Sequence, residues 1–389
     1  MTKKIFAIST LLLVVVIAAI FVYNFAFKKS SSSKSGGQKT SQEGKVVTQS
    51  NQSSQVKNDS GDTSPITAAS DEAVFGAALS ADGNYLYYFL KSNGQLNQTD
   101  LSGKLEKVIS TETFFNLKKV IWNKPKNKVV LKLEPAPGKT KFLYFDISEK
   151  KIFTLKENLD SATWCGTDDK IAYKYFDPKT KKRTVSVSDS DGKNWRDLAS
   201  FDYYGVEISS GPGSSNISFW PSPNAYTATS VNTMPFSGGD KKEILRDKYG
   251  VDLLWSPDGT RAAVSFSDQK GGHKMELAIT NSQGGQFQNL MWATFSSKCT
   301  WSADSRFLFC ALPGNIPDSA ILPNDWQEGK VSPSDTFWKI EASSGKKERL
   351  VETEKIVDSY DAINPFLSKD EKTLFFTNKS DGKLYRLNF

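Results

Sequence analysis

Between Leu253 and Phe266 the chain reads LLWSPDGTRAAVSF: an apolar run ending in Trp255, then Ser256-Pro257-Asp258-Gly259, then a second apolar run. Proline presets φ for the second position of a type I turn, aspartate suits its middle and glycine its end. Two short apolar runs about such a turn make a β-hairpin. This stretch constrains the fold because it recurs. Related turns follow Leu79, Trp122, Trp164, Ser209, Trp255, Trp301 and Leu367, at steps of 43, 42, 45, 46, 46 and 66 residues.

Each unit also holds a second hairpin, as in Phe142–Ser148 leading to Ile152–Leu155. Four short strands in about 45 residues, repeated, describe the blades of a β-propeller. The expected fold is all-β: a seven-bladed β-propeller of four-stranded blades over residues 66–389, preceded by one transmembrane helix and a disordered linker. The seventh unit reaches only its third strand, Lys383–Phe389, so residues around Pro65–Ser70 are expected to supply its outer strand and spare the ring an open edge.

Ile5–Phe27 holds 23 residues without a charge, with Lys3 and Lys4 before it and Lys28 and Lys29 after it. As a helix it spans roughly 34 Å, enough for a bilayer core. A cleaved secretory signal has a shorter apolar core and a small-residue cleavage site, so residues 5–27 read as an uncleaved signal anchor behind a cytoplasmic tail, residues 1–4. Residues 28–65 are rich in Ser, Gln, Lys and Gly and cannot bury enough surface to fold. They are expected to be a flexible linker. The resulting topology is a single-pass protein of the cell membrane with its propeller on the extracytoplasmic side.

The turn Trp-Ser-Pro-Asp-Gly, its following apolar strand and the later Asp-x-x-x-Gly hairpin resemble the WD40-like repeat of TolB-type propellers, across about residues 72–389. Units two and four depart from the turn, with Asn123-Lys124-Pro125-Lys126 and Gly211-Pro212-Gly213-Ser214. The resemblance implies an extracytoplasmic platform that binds a protein or ligand. The same repeats gate prolyl-oligopeptidase-like peptidases, which need an α/β-hydrolase domain that 389 residues leave no room for here.

The residues offer little for catalysis. His273, the one histidine, lies in a Lys-Gly-Gly-His loop, and no Gly-x-Ser-x-Gly elbow accompanies it. One histidine and three cysteines make a zinc site unexpected. Asp82, Asp168, Asp258, Asp304 and Asp370 occupy equivalent turns, which explains them without chemistry. Asp189-Ser190-Asp191-Gly192 begins like a calcium loop, but Lys193 takes a ligand place. Catalytic residues, cofactors and metals are therefore not expected, and the chain reads as a binding module rather than an enzyme. Cys299 and Cys310 flank one hairpin symmetrically and are expected to form a disulfide, with Cys165 left over and buried.

The long last step contains an insertion, PGNIPDSAILPNDWQEGKVSPSD, Pro313–Asp335. It falls between the second and third strands of its unit. Its Asp318, Ile321, Leu322, Asp325, Trp326 and Glu328 form the candidate binding loop, either as apolar anchors for a partner or as a lid on the propeller itself. Residues 1–65 carry eight lysines against three acidic residues, so five of the seven net positive charges lie beside the membrane segment. The remainder is nearly balanced, which argues against a nucleic-acid partner. The expected function is membrane-anchored binding or scaffolding of a protein, peptide or glycan. The alternatives are a glycan-active propeller enzyme and a purely structural part of a cell-envelope complex.

Overall fold

Burial along the strands decides where each chain segment goes. In Phe142–Asp146 or Ile171–Lys174 the apolar residues are sealed on both faces, as expected of strands packed between neighbouring sheets. The computed structural model describes residues 64–166 and 169–389. The expected tail, membrane span and nearly all of the linker, and also Asp168, lie outside the described residues.

The strands run in order as antiparallel meanders. β1 (Ile66–Leu79), β2 (Tyr85–Leu90), β3 (Leu96–Asp100) and β4 (Lys107–Val108) come first. They are followed by β5 (Leu117–Trp122), β6 (Lys128–Ala136), β7 (Lys139–Asp146) and β8 (Lys151–Thr154). Next are β9 (Leu159–Trp164), β10 (Lys170–Phe176), β11 (Arg183–Asp189) and β12 (Arg196–Phe201). Then come β13 (Val206–Ser210), β14 (Asn216–Pro221), β15 (Ala228–Pro235) and the long β16 (Lys242–Trp255). β17 (Arg261–Ser267), β18 (Met275–Asn281) and β19 (Gln288–Trp292) complete the group that β16 opens. β20 (Cys299–Trp301), β21 (Phe307–Gly314), β22 (Ser334–Glu341) and β23 (Lys347–Arg349) follow, with the single-turn helix α1 (Asn324–Gln327) inside the insertion. The last strands are β24 (Ala362–Leu367), β25 (Thr373–Asn378) and β26 (Lys383–Asn388).

Three sheets have four strands and two have seven. The seven-stranded sheets arise because β1 and β16, at 14 residues each, pass from one meander into the next. The first part of β1 pairs with β26, from Ile66 opposite Leu387 to Ala68 opposite Tyr385. Its last part pairs with β2, from Val74 opposite Leu90 to Leu79 opposite Leu86. The expected outer strand near Pro65–Ser70 is thus in place, and it ties the start of the folded part to its end. Cut at β1 and β16, every group is a four-stranded antiparallel meander.

Hydrophobic cores lie between consecutive groups. Phe89 and Leu96 of one pack with Leu117, Val129, Leu131 and Phe145 of the next. Each such side chain contributes about 1.5–3 kcal/mol on burial. The recurrent tryptophans pin neighbouring first strands together. Trp122 Nε1 donates to the Gly76 carbonyl at 2.7 Å, Trp164 to Ile121 at 2.8 Å and Trp301 to Leu254 at 3.1 Å. Trp255 faces the degenerate fourth turn, and its buried Nε1 finds no acceptor among the described residues.

Candidate functional site

In these meanders the turns alternate between two ends of the strands. The turns joining first to second strands hold the recurrent aspartates. Ser256 Oγ donates to Asp258, Ser302 to Asp304 and Ser368 to Asp370, each at 2.6 Å. The serine hydroxyls hold Asp82, Asp304 and Asp370 below the usual carboxylate range. The fourth turn position takes a positive φ in Gly83, Lys126, Gly259, Ser305 and Glu371, which explains the glycine where it occurs. Asp189 and Asp191 are engaged by Lys170 and Lys193, each at 2.8 Å.

The opposite end carries the links between groups and the second-to-third-strand tips. Here the insertion is a strap. Asn324 Oδ1 accepts the Ala225 amide at 2.8 Å, and Leu322 N–H donates to the Gly272 carbonyl at 3.0 Å. His273 Nδ1 lies 2.9 Å from the Ala320 carbonyl, so the one histidine fastens the strap. Leu322 and Trp326 are buried with Met275, Phe295 and Ala320. Of the two readings of the loop, these two side chains follow the lid: an apolar residue in a polar loop can seal the loop onto its own fold. Ile321 and Asp325 are half-buried, while Asp318 and Glu328 stay exposed. Asp325 works within the strap, accepting the Ile321 amide at 2.7 Å and pairing with Lys330 at 3.1 Å.

Beneath the strap lies a closed polar cluster. Lys298 has no exposed surface; its Nζ meets Asp335 and Asp361 at 2.6 Å each and the Ala362 carbonyl at 3.0 Å. Trp326 donates its indole N–H to Asp361 at 3.1 Å and stacks on Phe295, with ring centroids 4.1 Å apart. Burial lifts Asp335 to about 6, against the opposing pull of Lys298. Next to this cluster, Cys299 and Cys310 face each other across β20 and β21, with their sulfurs bonded. Cys165 is buried.

The rest of this end is open. A cleft of about 670 Å³ is lined from β5, β6, β7, β9, β10 and β13 and by Ser222, just past β14. It brings Lys119, Lys132, Lys174, Asp160 and Glu207 together with Tyr204 and Ser222. Lys174 is buried and binds the Asp160 carboxylate and the Tyr204 carbonyl, joining two walls of the cleft. Burial, then Arg183 and Lys132, lower it to about 8, and the Asp160 carboxylate favours its charged form. Burial also lowers Lys132, helped by Lys119 and opposed by Glu207. Glu207 accepts from Ser222 at 3.2 Å. On the neighbouring first strand, Asp252 accepts from Ser296 at 2.7 Å; burial, reinforced by Glu207, raises it to about 6.

No protein-family model matches the sequence, and no curated protein matches it. Solved structures do. An oligogalacturonate lyase in complex with manganese superposes with a TM-score of 0.60 at 12% identity, covering 83% of this chain and 93% of that one. The Cps50 (Swd1) β-propeller domain of Myceliophteria thermophila gives 0.54 at 10% identity, over 83% and 99%. The β-propeller domain of the Trilobed protease from Pyrococcus furiosus gives 0.53 at 9% identity, over 81% and 96%. The fold is a β-propeller.

The lyase likeness overturns the expectation that the chain is not an enzyme. An enzyme shares this fold over most of both chains, and a missing histidine triad excludes only one chemistry. The manganese of that lyase has no counterpart in the residues described here: no three His, Cys, Asp or Glu side chains among them gather to hold a metal ion. Sequence reading missed the cleft because its residues come from separate groups. One signal was available. Asp160 and Glu207, which line the cleft, each follow an apolar residue that opens a first strand: Leu159 and Val206.

Proposed function

We propose that this chain is a seven-bladed, TolB-like propeller, tethered by Ile5–Phe27 outside the cytoplasm, whose cleft binds a saccharide. The cleft carries the reading. Amines, carboxylates and hydroxyls line it beside the exposed ring of Tyr204, and sugars need donors and acceptors with an apolar edge. The lyase that shares the fold is named for an oligosaccharide. Seven turns in the sequence support the blade count, and 23 uncharged residues support the tether. The Cys299–Cys310 bond suits an oxidising compartment. A protein or peptide partner remains the alternative ligand.

A second reading, turnover of that saccharide, rests on Glu207 and Asp252. Two interacting carboxylates, one raised to about 6, can divide the roles of acid and base. The test is calorimetry of the purified full-length chain against a panel of short neutral and acidic oligosaccharides, with product analysis of the same mixtures. Binding that is lost in Lys132→Ala and Glu207→Gln supports the cleft. No binding across the panel, or binding untouched by both variants, removes it.

A further inference from the structure

Charge on the folded part is nearly balanced only as an average. Residues 174–183, KYFDPKTKKR, carry five cations and one acid; residues 132–141, KLEPAPGKTK, carry three cations and one acid. Together the two segments hold an excess of six positive charges, three times the net +2 of residues 66–389. Each is the tip between the second and third strands of its meander, β6–β7 and β10–β11. The meanders are consecutive, so the tips emerge side by side at the end of the strands where the cleft opens.

Most of these cations are not consumed internally. Of the eight, only Lys174 makes an ion pair among the described residues. Lys139, Lys141, Lys179, Lys181 and Lys182 are exposed. The Arg183 guanidinium lies over the ring of exposed Tyr204, 3.7 Å from its centre. Tyr204 also lines the cleft, so the basic tips and the cleft form one continuous surface.

We propose that this surface docks a linear, carboxylate-bearing polysaccharide, which leaves the cleft and crosses the β10–β11 tip. The identity of the polymer rests on the saccharide reading of the cleft; the basic surface does not. Glu134, Asp160 and Glu207 favour a sugar chain over a nucleic acid. They can accept from sugar hydroxyls, whereas a phosphodiester backbone offers them no donor; their repulsion acts on either polyanion.

The experiment titrates the full-length chain with polygalacturonate, with dextran of matched length and with oligothymidylate, at 50 and 200 mM salt. Polygalacturonate is expected to bind best. With roughly four phosphate-like contacts its affinity falls about 50-fold between the two salt concentrations. The variant Lys179→Gln/Lys181→Gln/Lys182→Gln, altered only at exposed sites, is expected to bind it about tenfold more weakly with a flatter salt slope and an unchanged melting temperature. Dextran binding as well as polygalacturonate, or a triple variant binding as well as the parent, overturns the proposal. So does tighter binding of oligothymidylate, which would assign the surface to nucleic acid. A trisaccharide titrated in parallel separates the two readings. If the trisaccharide binds and the polymer gains nothing, the surface fails and the cleft stands; if the polymer alone binds, the cleft fails and the surface stands.

Discussion

Replacing Lys298 by methionine tests the cluster under the strap directly. The ammonium is fully buried and meets two carboxylates at 2.6 Å and a carbonyl at 3.0 Å. Methionine fills a similar volume, so the loss is electrostatic. Breaking a buried ion pair by removing one partner costs about 3–5 kcal/mol, because a charge is left behind without compensation. At roughly 2 °C per kcal/mol for a domain of this size, the melting temperature falls by about 6–10 °C. The deficit depends on pH. Asp335, at about 6 in the fold, lies above its ordinary 3.8. Between those values the folded state binds more protons than the unfolded one, so this group lowers stability as pH rises through about 4 to 6. Without Lys298 its pKa climbs further, and the variant is hurt more at pH 8 than at pH 5, where Asp335 becomes neutral. Thermal melts followed by near-ultraviolet circular dichroism at both pH values read the effect. A shift below about 2 °C at pH 8, or equal deficits at both pH values, refutes the assignment of Lys298 as the charge that makes this cluster stable.

Trp301→Phe forfeits the bond to Leu254 and is expected to cost about 1 kcal/mol more than Trp255→Phe, whose indole N–H has no acceptor to lose; urea denaturation of the two variants compares them. Gly259→Ala places a Cβ at φ +69, 2.9 Å from the Pro212 carbonyl, and is expected to destabilise by about 1–2 kcal/mol in the same assay. Cys299→Ala/Cys310→Ala opens a loop spanning 11 residues of sequence separation and is expected to lose about 3 kcal/mol in the chain-entropy view. Non-reducing peptide mapping of the parent should recover the two cysteines joined.

The fold was legible because its signal is local and repeated. A turn such as Ser256–Gly259 needs particular residues within four positions, and each copy reinforces the next. The cysteine pair was legible for the same reason, being symmetric about one hairpin. The cleft was not, because Lys119, Lys132, Asp160, Lys174 and Glu207 meet only once three meanders stand side by side. Net charge concealed the basic tips by summing them with acidic residues elsewhere. The strap was found as a break in the period, but its apolar content could not say which surface it covers. Trp326 reads identically whether it awaits a partner or lies, as it does, against Phe295 and Asp361.

The strap and the basic tips divide one end of the propeller between them. The strap fastens to the β14–β15 tip through Ala225, to the β17–β18 tip through Gly272 and His273, and to the β25–β26 tip through Lys379 and Ser380. Its own base is the β21–β22 tip. The β6–β7 and β10–β11 tips make no hydrogen bond to it among the described residues, and these two carry the excess of positive charge. A cover laid over them would have to desolvate exposed lysines that make no ion pair among the described residues, at a cost that grows with each one buried. The distribution of charge therefore opposes extension of a cover over these two tips. The strap covers one side of this end, where a cavity of about 530 Å³ lies against Asp318 and Leu322, and the larger cleft of about 670 Å³ lies on the other side, beside the basic tips.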